Sequence, residues 1–260
     1  MKVSWLLLGM ALLMQVNIGT AQQLGDPTEV KVNKPINFSG TISATNNGIS
    51  IVPTFSLGKP AAIAILSINK GRWSFDPDIR FSMAGKPWVF LFWGRYKLAT
   101  TKKLTSNIGT HLGLNYQTNK LPINGDTSET TITRRYAAAE VNHQYHISKN
   151  CSVGVYYLYS HGLDAGTIGN GHFATLNTNF SHIAITKKYF LQVSPQVFYL
   201  KLDARDGFYS TLNIAVKKQN APLSLAALFN KQINSNIIGS KPFLWSVSVV
   251  YSFHNKYAQQ

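Results

Sequence analysis

The chain has 260 residues, of which 45 % are apolar and only 13 % charged, with a formal charge of +15 and one cysteine, Cys151. A lone cysteine excludes an internal disulfide framework, so stability in an oxidising compartment has to come from closing a sheet rather than from cross-links. No apolar run of about 20 residues follows the N-terminal segment, which excludes a helical membrane span there.

Residues 1–21 read as a signal peptide: Lys2 supplies a basic start, Trp5 to Val16 an apolar run, and Gly19 and Ala21 the small residues before Gln22. No cysteine follows to carry a lipid, so an exported chain beginning near Gln22 is expected. For such a chain the basic balance points to lipid headgroups, surface polysaccharide or small anions, and not to nucleic acid. Residues 22–35 are expected as a lead-in, 36–254 as one β-domain and 255–260 as a periplasmic tail.

Period-two runs then follow at 36–45, 49–57, 61–68, 72–83, 87–98, 104–117, 131–146, 151–160, 173–185, 189–200, 207–216, 222–230 and 244–254. The breaks carry turn chemistry, as at Asn46-Asn47-Gly48, Gly58-Lys59-Pro60, Asn69-Lys70-Gly71 and Asp206-Gly207. A barrel with both termini on one side needs an even count, so twelve strands are expected. The surplus is placed before residue 100, either as a lead-in at 36–45 or as two runs forming one bent strand.

Several runs sort into two faces. Trp73, Phe75, Ile79, Phe81 and Met83 oppose Ser74, Asp76, Asp78, Arg80 and Ser82; Phe208, Leu212, Ile214 and Val216 oppose Tyr209, Thr211, Asn213 and Ala215. At the end of the chain, Trp245, Val247, Val249, Tyr251 and Phe253 oppose Ser246, Ser248, Val250 and Ser252. A soluble sandwich alternates too, and three observations decide against it. The polar faces are small-residue-rich rather than rich in Lys and Glu. Aromatics gather at strand ends (Trp73, Trp88, Trp93, Tyr116, Tyr189, Trp245, Tyr251, Phe253), as in interfacial girdles. Connections alternate between long (118–130, 161–172, 201–206, 231–243) and short (147–150, 186–188, 217–221). The expectation is an all-β, closed antiparallel transmembrane β-barrel of about 12 strands, with short periplasmic turns and longer outer loops.

Gly85-Lys86-Pro87-Trp88 leading into Phe92-Trp93-Gly94-Arg95-Tyr96, with Arg134-Arg135-Tyr136-Ala137, Tyr156 to Asp164 and Asp206-Gly207-Phe208-Tyr209, resembles uncharacterised porin-like outer-membrane β-barrel proteins of Gram-negative bacteria. The resemblance covers nearly the whole mature chain. It implies the barrel fold, the outer membrane as location and lipid with lipopolysaccharide as surroundings, and it assigns no substrate. Tyr251-Ser252-Phe253 also resembles the signal read by the barrel assembly machinery, departing from it in the seven residues that follow, His254 to Gln260.

Two groupings have the residue types of a hydrolytic site. His146-Ile147-Ser148 resembles the His-x-Ser pair of barrel deacylases, but Lys149 follows the serine where that pattern has Asn. Ser160, His161 and Asp164 offer a triad, yet neighbours on a strand point to opposite faces. No catalytic, metal or cofactor site is expected from either, nor from the seven scattered histidines. Asp203, Arg205 and Asp206 read as a solvated turn, and 118–130 as a mobile surface loop. The stronger signal is inward charge: Asp76, Asp78, Arg80, Arg95, Lys97, His111, Arg134 and Glu140, with Asn115, would share one lumen. This predicts a porin-like passive channel or transport component for small solutes, leaning toward anions. The rivals are a lipid hydrolase in the barrel wall and a structural or adhesive barrel with a plugged lumen.

Overall fold

Alternation along each segment is what the structure turns into a closed wall. The computed structural model describes residues 35–123 and 126–257; the expected signal peptide and nearly all of the lead-in lie outside them. Twelve strands follow in chain order: β1 (Ile36–Thr45), β2 (Ala61–Lys70), β3 (Trp73–Ser82), β4 (Pro87–Thr100), β5 (Leu104–Ile123), β6 (Asp126–His146), β7 (Cys151–Gly162), β8 (Asn170–Ala184), β9 (Tyr189–Leu202), β10 (Arg205–Lys218), β11 (Leu223–Ser235) and β12 (Phe243–Tyr257). Each pairs antiparallel with its sequence neighbours, and β1 pairs with β12 from Ile36↔Tyr257 to Thr45↔Ser248, which closes the ring. Where β1 ends, side chains continue the seam: Asn46 Oδ1 accepts from the Val247 N–H at 2.8 Å and Asn47 Nδ2 donates to the Trp245 carbonyl at 3.1 Å. Strands about 4.8 Å apart, tilted by about 40°, give a ring roughly 24 Å across between backbones.

The expected strand at 49–57 is not one. It belongs to the connection 46–60, with a 3-10 turn at Pro53–Phe55, and this, rather than either of the expected errors, explains the surplus in the count. The expected tail is shorter as well, because Ile36, Asn37 and Phe38 give residues 255–257 a partner. Two expected loops are mostly strand. β5 and β6, of 20 and 21 residues, remain paired out to Ile123↔Asp126. At ~3.3 Å per residue they run about 65 Å, well beyond a bilayer. β9 and β10 pair from Leu202↔Arg205, leaving Asp203 and Ala204 as the turn, with Asp203 at φ 53°.

The outward face is apolar and open, with Trp73, Phe75, Leu112, Val197, Phe208 and Val247 among its exposed side chains. An apolar belt of this extent belongs in lipid. Trp88 and Trp93, expected in the girdles, are instead inside, 2 % and 7 % exposed. Trp93 shares the inward parity of Arg95. Trp88 is the extra residue of a β-bulge, since Arg80 pairs with Val89 while Phe81 pairs with Pro87.

The two ends differ in charge. The short-turn end carries Lys70, Arg72, Lys102, Lys103, Lys149, Lys187, Lys188, Lys218 and Lys256. Among the described residues the acidic side chains outside the lumen, Glu129, Asp164, Asp203 and Asp206, all lie toward the other end.

Placing a cation on the lipid face tests the assignment of sides. Val249→Arg, midway between Trp245 and Phe253, should cost about 2–4 kcal/mol, read by equilibrium urea unfolding in lipid vesicles, whereas Ser248→Arg, turned inward, should cost well under half of that.

Candidate functional site

Inside the barrel the inward residues form three zones. Toward the loop end they are apolar: Phe173, Phe198, Leu200, Leu202 and Tyr209 from β8, β9 and β10 pack with Ile237 of the last loop, joined by Val52, Ile168 and Leu158. Val52 belongs to the connection 46–60, which starts beside β12 and β2, so this loop reaches across the ring to the far wall. It is held on the near wall by Trp88, whose Nε1 donates to the Phe55 carbonyl at 2.7 Å, and Phe55 itself meets the Tyr136 ring at 5.1 Å. The loop closes on itself through Gly48, whose N–H donates to the Lys59 carbonyl and whose carbonyl accepts from the Leu57 N–H. A Cβ at Gly48 would sit 3.0 Å from both the Leu57 side chain and the Trp88 ring, so the approach requires glycine there.

Below this roof lies a charged belt. Arg95 Nη1 donates to Asp76 Oδ2 at 2.8 Å and its Nε to Glu140 Oε1 at 2.6 Å, while the Tyr156 hydroxyl donates to Glu140 Oε2 at 2.7 Å. Ser67 and Ser74 also donate to Asp76, the latter at 2.9 Å. Arg95 reaches Glu140 across β5, and this is possible because Gly109 stands between them: a Cβ there would be 2.9 Å from Arg95 Cγ and 3.0 Å from Glu140 Oε1. The guanidinium also lies 4.3 Å from the Trp93 ring centre, with His111 on that ring at 4.0 Å. Arg80 binds Asp78 through two bonds of 2.8 and 2.6 Å and sits 5.4 Å over Trp88.

Asp76, Arg95 and Glu140 are therefore brought together, and Asp78 with Arg80 forms a separate pair. Arg134 lies at the loop mouth, where Nη1 donates to the Gly166 carbonyl at 3.1 Å. Lys97 stands two residues nearer the short-turn end and, among the described residues, joins no ion pair. The lean toward anions rested on counting cations as if free. Arg80 and Arg95 face three carboxylates in the belt, so the paired cluster keeps one excess negative charge. Sequence reasoning missed Tyr156, whose only signal was its place on a polar face with Ser152, Gly154 and Ser160. It also missed the apolar roof.

Toward the short-turn end the lumen is polar, and the charged side chains it receives, Lys97 and Lys217, join no ion pair among the described residues. Asn179 accepts from Gln192 and Ser194 at 3.0 and 2.9 Å, and Lys217 donates to Gln192 at 2.8 Å, beside a cavity of about 230 Å³. Between roof and belt lies a second cavity of about 200 Å³, bounded by Ile51, Val52 and Phe55 above and by Leu91, Trp93, His111 and Leu200.

The hydrolytic groupings are not assembled. His146 Nε2 meets Thr105 Oγ1 at 3.0 Å, while Ser148 lies in a turn and accepts from the Asn150 N–H. Ser160 points inward and His161 outward. Asp164 is held by Arg135 through Nη2 at 2.6 Å and the backbone N–H at 2.6 Å.

The fold is shared with solved outer-membrane barrels. It superposes on the KdgM porin with a TM-score of 0.52 and 10 % identity, over 83 % of this chain and 99 % of that one. A NanC porin gives 0.48 and 11 %, over 82 % and 98 %, and OmpT of Vibrio cholerae gives 0.44 and 10 %, over 84 % and 97 %. No family model and no curated sequence matches the chain. At such identities the likeness is one of fold.

Removing the central cation leaves two carboxylates facing each other. Arg95→Ala should lower stability by about 3 kcal/mol in equilibrium unfolding, and adding Asp76→Asn and Glu140→Gln should restore most of it. At the mouth, bonds from the Arg135 side chain and then its backbone N–H hold the Asp164 carboxyl below the usual carboxylate range. A carboxyl depressed in the folded state contributes fully above its unfolded value of about 3.9 and loses that contribution as pH falls through the folded value. Amide exchange at Arg135, corrected for its intrinsic pH dependence, should therefore be flat from pH 7 to about pH 4 and accelerate below.

Proposed function

We propose that the protein is an outer-membrane channel of porin type for small solutes, with its first outer loop as the constriction. The observation that supports this best is the division of the interior: a polar vestibule open to the short-turn end, a paired charge belt, and one loop laid across the lumen above them. A barrel of about twelve strands encloses more volume than its inward side chains fill, and loop 46–60 occupies part of the remainder. In this reading residues 1–21 direct export, the short turns face the periplasm, the assembly machinery inserts the chain, and the aromatic belt meets phospholipid and lipopolysaccharide. The solutes are small and weakly charged, since the belt's cations are matched by carboxylates. Lumen-lining roles fall to Asp76, Asp78, Arg80, Arg95, His111 and Glu140, with Arg134 at the outer mouth and Lys97 toward the periplasm.

The fit of Trp88 against Phe55 and of Val52 against the far wall favours a second reading, a barrel plugged at rest. Planar-bilayer recording separates the two. The natural chain should give small single-channel steps, and a variant with 50–56 replaced by Gly-Gly should give steps several-fold larger. Silence of both would overturn the channel. Silence of the natural chain alone would identify the plugged barrel.

A further inference from the structure

The cavity under the roof has features that the passage of polar solutes does not call for. Its walls are mostly apolar, with Leu91, Trp93, Phe173 and Leu200 on the barrel side and Val52 and Phe55 above, and Arg80, Tyr136 and Tyr156 among the polar side chains at its edge. Two polar atoms among its lining residues have no protein partner: Asn115 Oδ1 and His111 Nδ1. Asn115 is only 3 % exposed, and leaving a buried amide oxygen unpaired is costly. Both residues lie on the inward side of β5, flanking Gly113. A Cβ at Gly113 would sit 3.1 Å from Leu91 Cδ2 and 3.2 Å from His111 Nε2, so the glycine holds open a notch between them.

Size and chemistry together define an occupant. A dry apolar cavity of about 150 Å³ accommodates benzene, and this one measures about 200 Å³, which suits one ring with a small substituent. Asn115 Oδ1 is covered, so a hydroxyl on that ring would donate to it once the amide turns toward the cavity, while the ring lies against Leu91, Trp93 and Leu200. We propose that the chamber between loop 46–60 and β5 is a binding site for a small single-ring apolar molecule bearing a hydrogen-bond donor, of the phenol class. Loop 46–60 forms its lid and Asn115 reads the donor. Binding there does not require conduction, so the site stands or falls apart from the channel reading.

The test uses the full-length mature barrel in detergent, with folding confirmed by heat-modifiable electrophoretic migration. Saturation-transfer NMR would follow 4-methylphenol and toluene, with detergent alone as blank. One saturable site for 4-methylphenol is expected, with toluene about tenfold weaker. Asn115→Leu keeps the volume and removes the acceptor, so it should weaken 4-methylphenol about tenfold and leave toluene unchanged. Leu200→Trp fills the chamber and should abolish binding of both. If Leu200→Trp does not fold, Asn115→Leu carries the decision. Absence of saturable binding to the natural chain, undiminished binding to folded Leu200→Trp, or a phenol preference that survives Asn115→Leu would each overturn the site. A conducting barrel that fails this test loses only the chamber, and a binding barrel silent in the bilayer loses only the channel.

Discussion

Everything in this molecule depends on the pairing of β1 with β12. In lipid an unpaired backbone amide or carbonyl has no water to turn to, so a sheet can stand there only if its two edges meet. Ile36 to Thr45 supply one edge and Ser248 to Tyr257 the other. Asn46 and Asn47 extend the seam past the last strand bond with their own side-chain amides. Once the ring is closed, each inward residue faces a space of fixed width, and what happens there is decided by the side chains that share it.

That space is divided by polarity along its axis. The belt places charges where neighbours can satisfy them, Arg95 serving two carboxylates over Gly109. Pairing of this kind carries a desolvation cost that limits its net contribution, but it fixes the geometry of four strands around one guanidinium. The apolar zone fixes the loop by a different force. Phe173, Phe198 and Leu200 point away from lipid, so they must be covered from within, and Val52, Ile168 and Ile237 cover them. The loop's position is thus a consequence of apolar residues on the inward parity of β8 and β9.

How much of this could be read from sequence follows from which force acts locally. The faces of β3, β10 and β12 were legible because alternation is a local property fixed by the strand's two-residue period. The segment 49–57 defeated the same rule: Ile49, Ile51, Phe55 and Leu57 alternate with Ser50, Thr54 and Ser56, yet the segment is a loop, with Val52, Phe55 and Leu57 packed inside the barrel. Apolar side chains bound for a barrel interior look like those bound for lipid. Trp88 misled for a similar reason, since one bulge residue reverses the parity of everything before it. The pairing of the charged residues was not legible, because Asp76, Arg95 and Glu140 meet only through strand register and the gap at Gly109.

The uneven distribution of rim charge has an electrical meaning. Lysines and arginines crowd every short turn from Arg72 to Lys218, while the opposite rim mixes both signs. Such a molecule is a fixed dipole set along the membrane normal. Mobile ions approaching its two mouths meet different potentials, and anions accumulate more strongly at the short-turn mouth than at the other. Current through an open lumen would then differ in size when the applied voltage is reversed, so a recording would reveal which way round the barrel had been inserted.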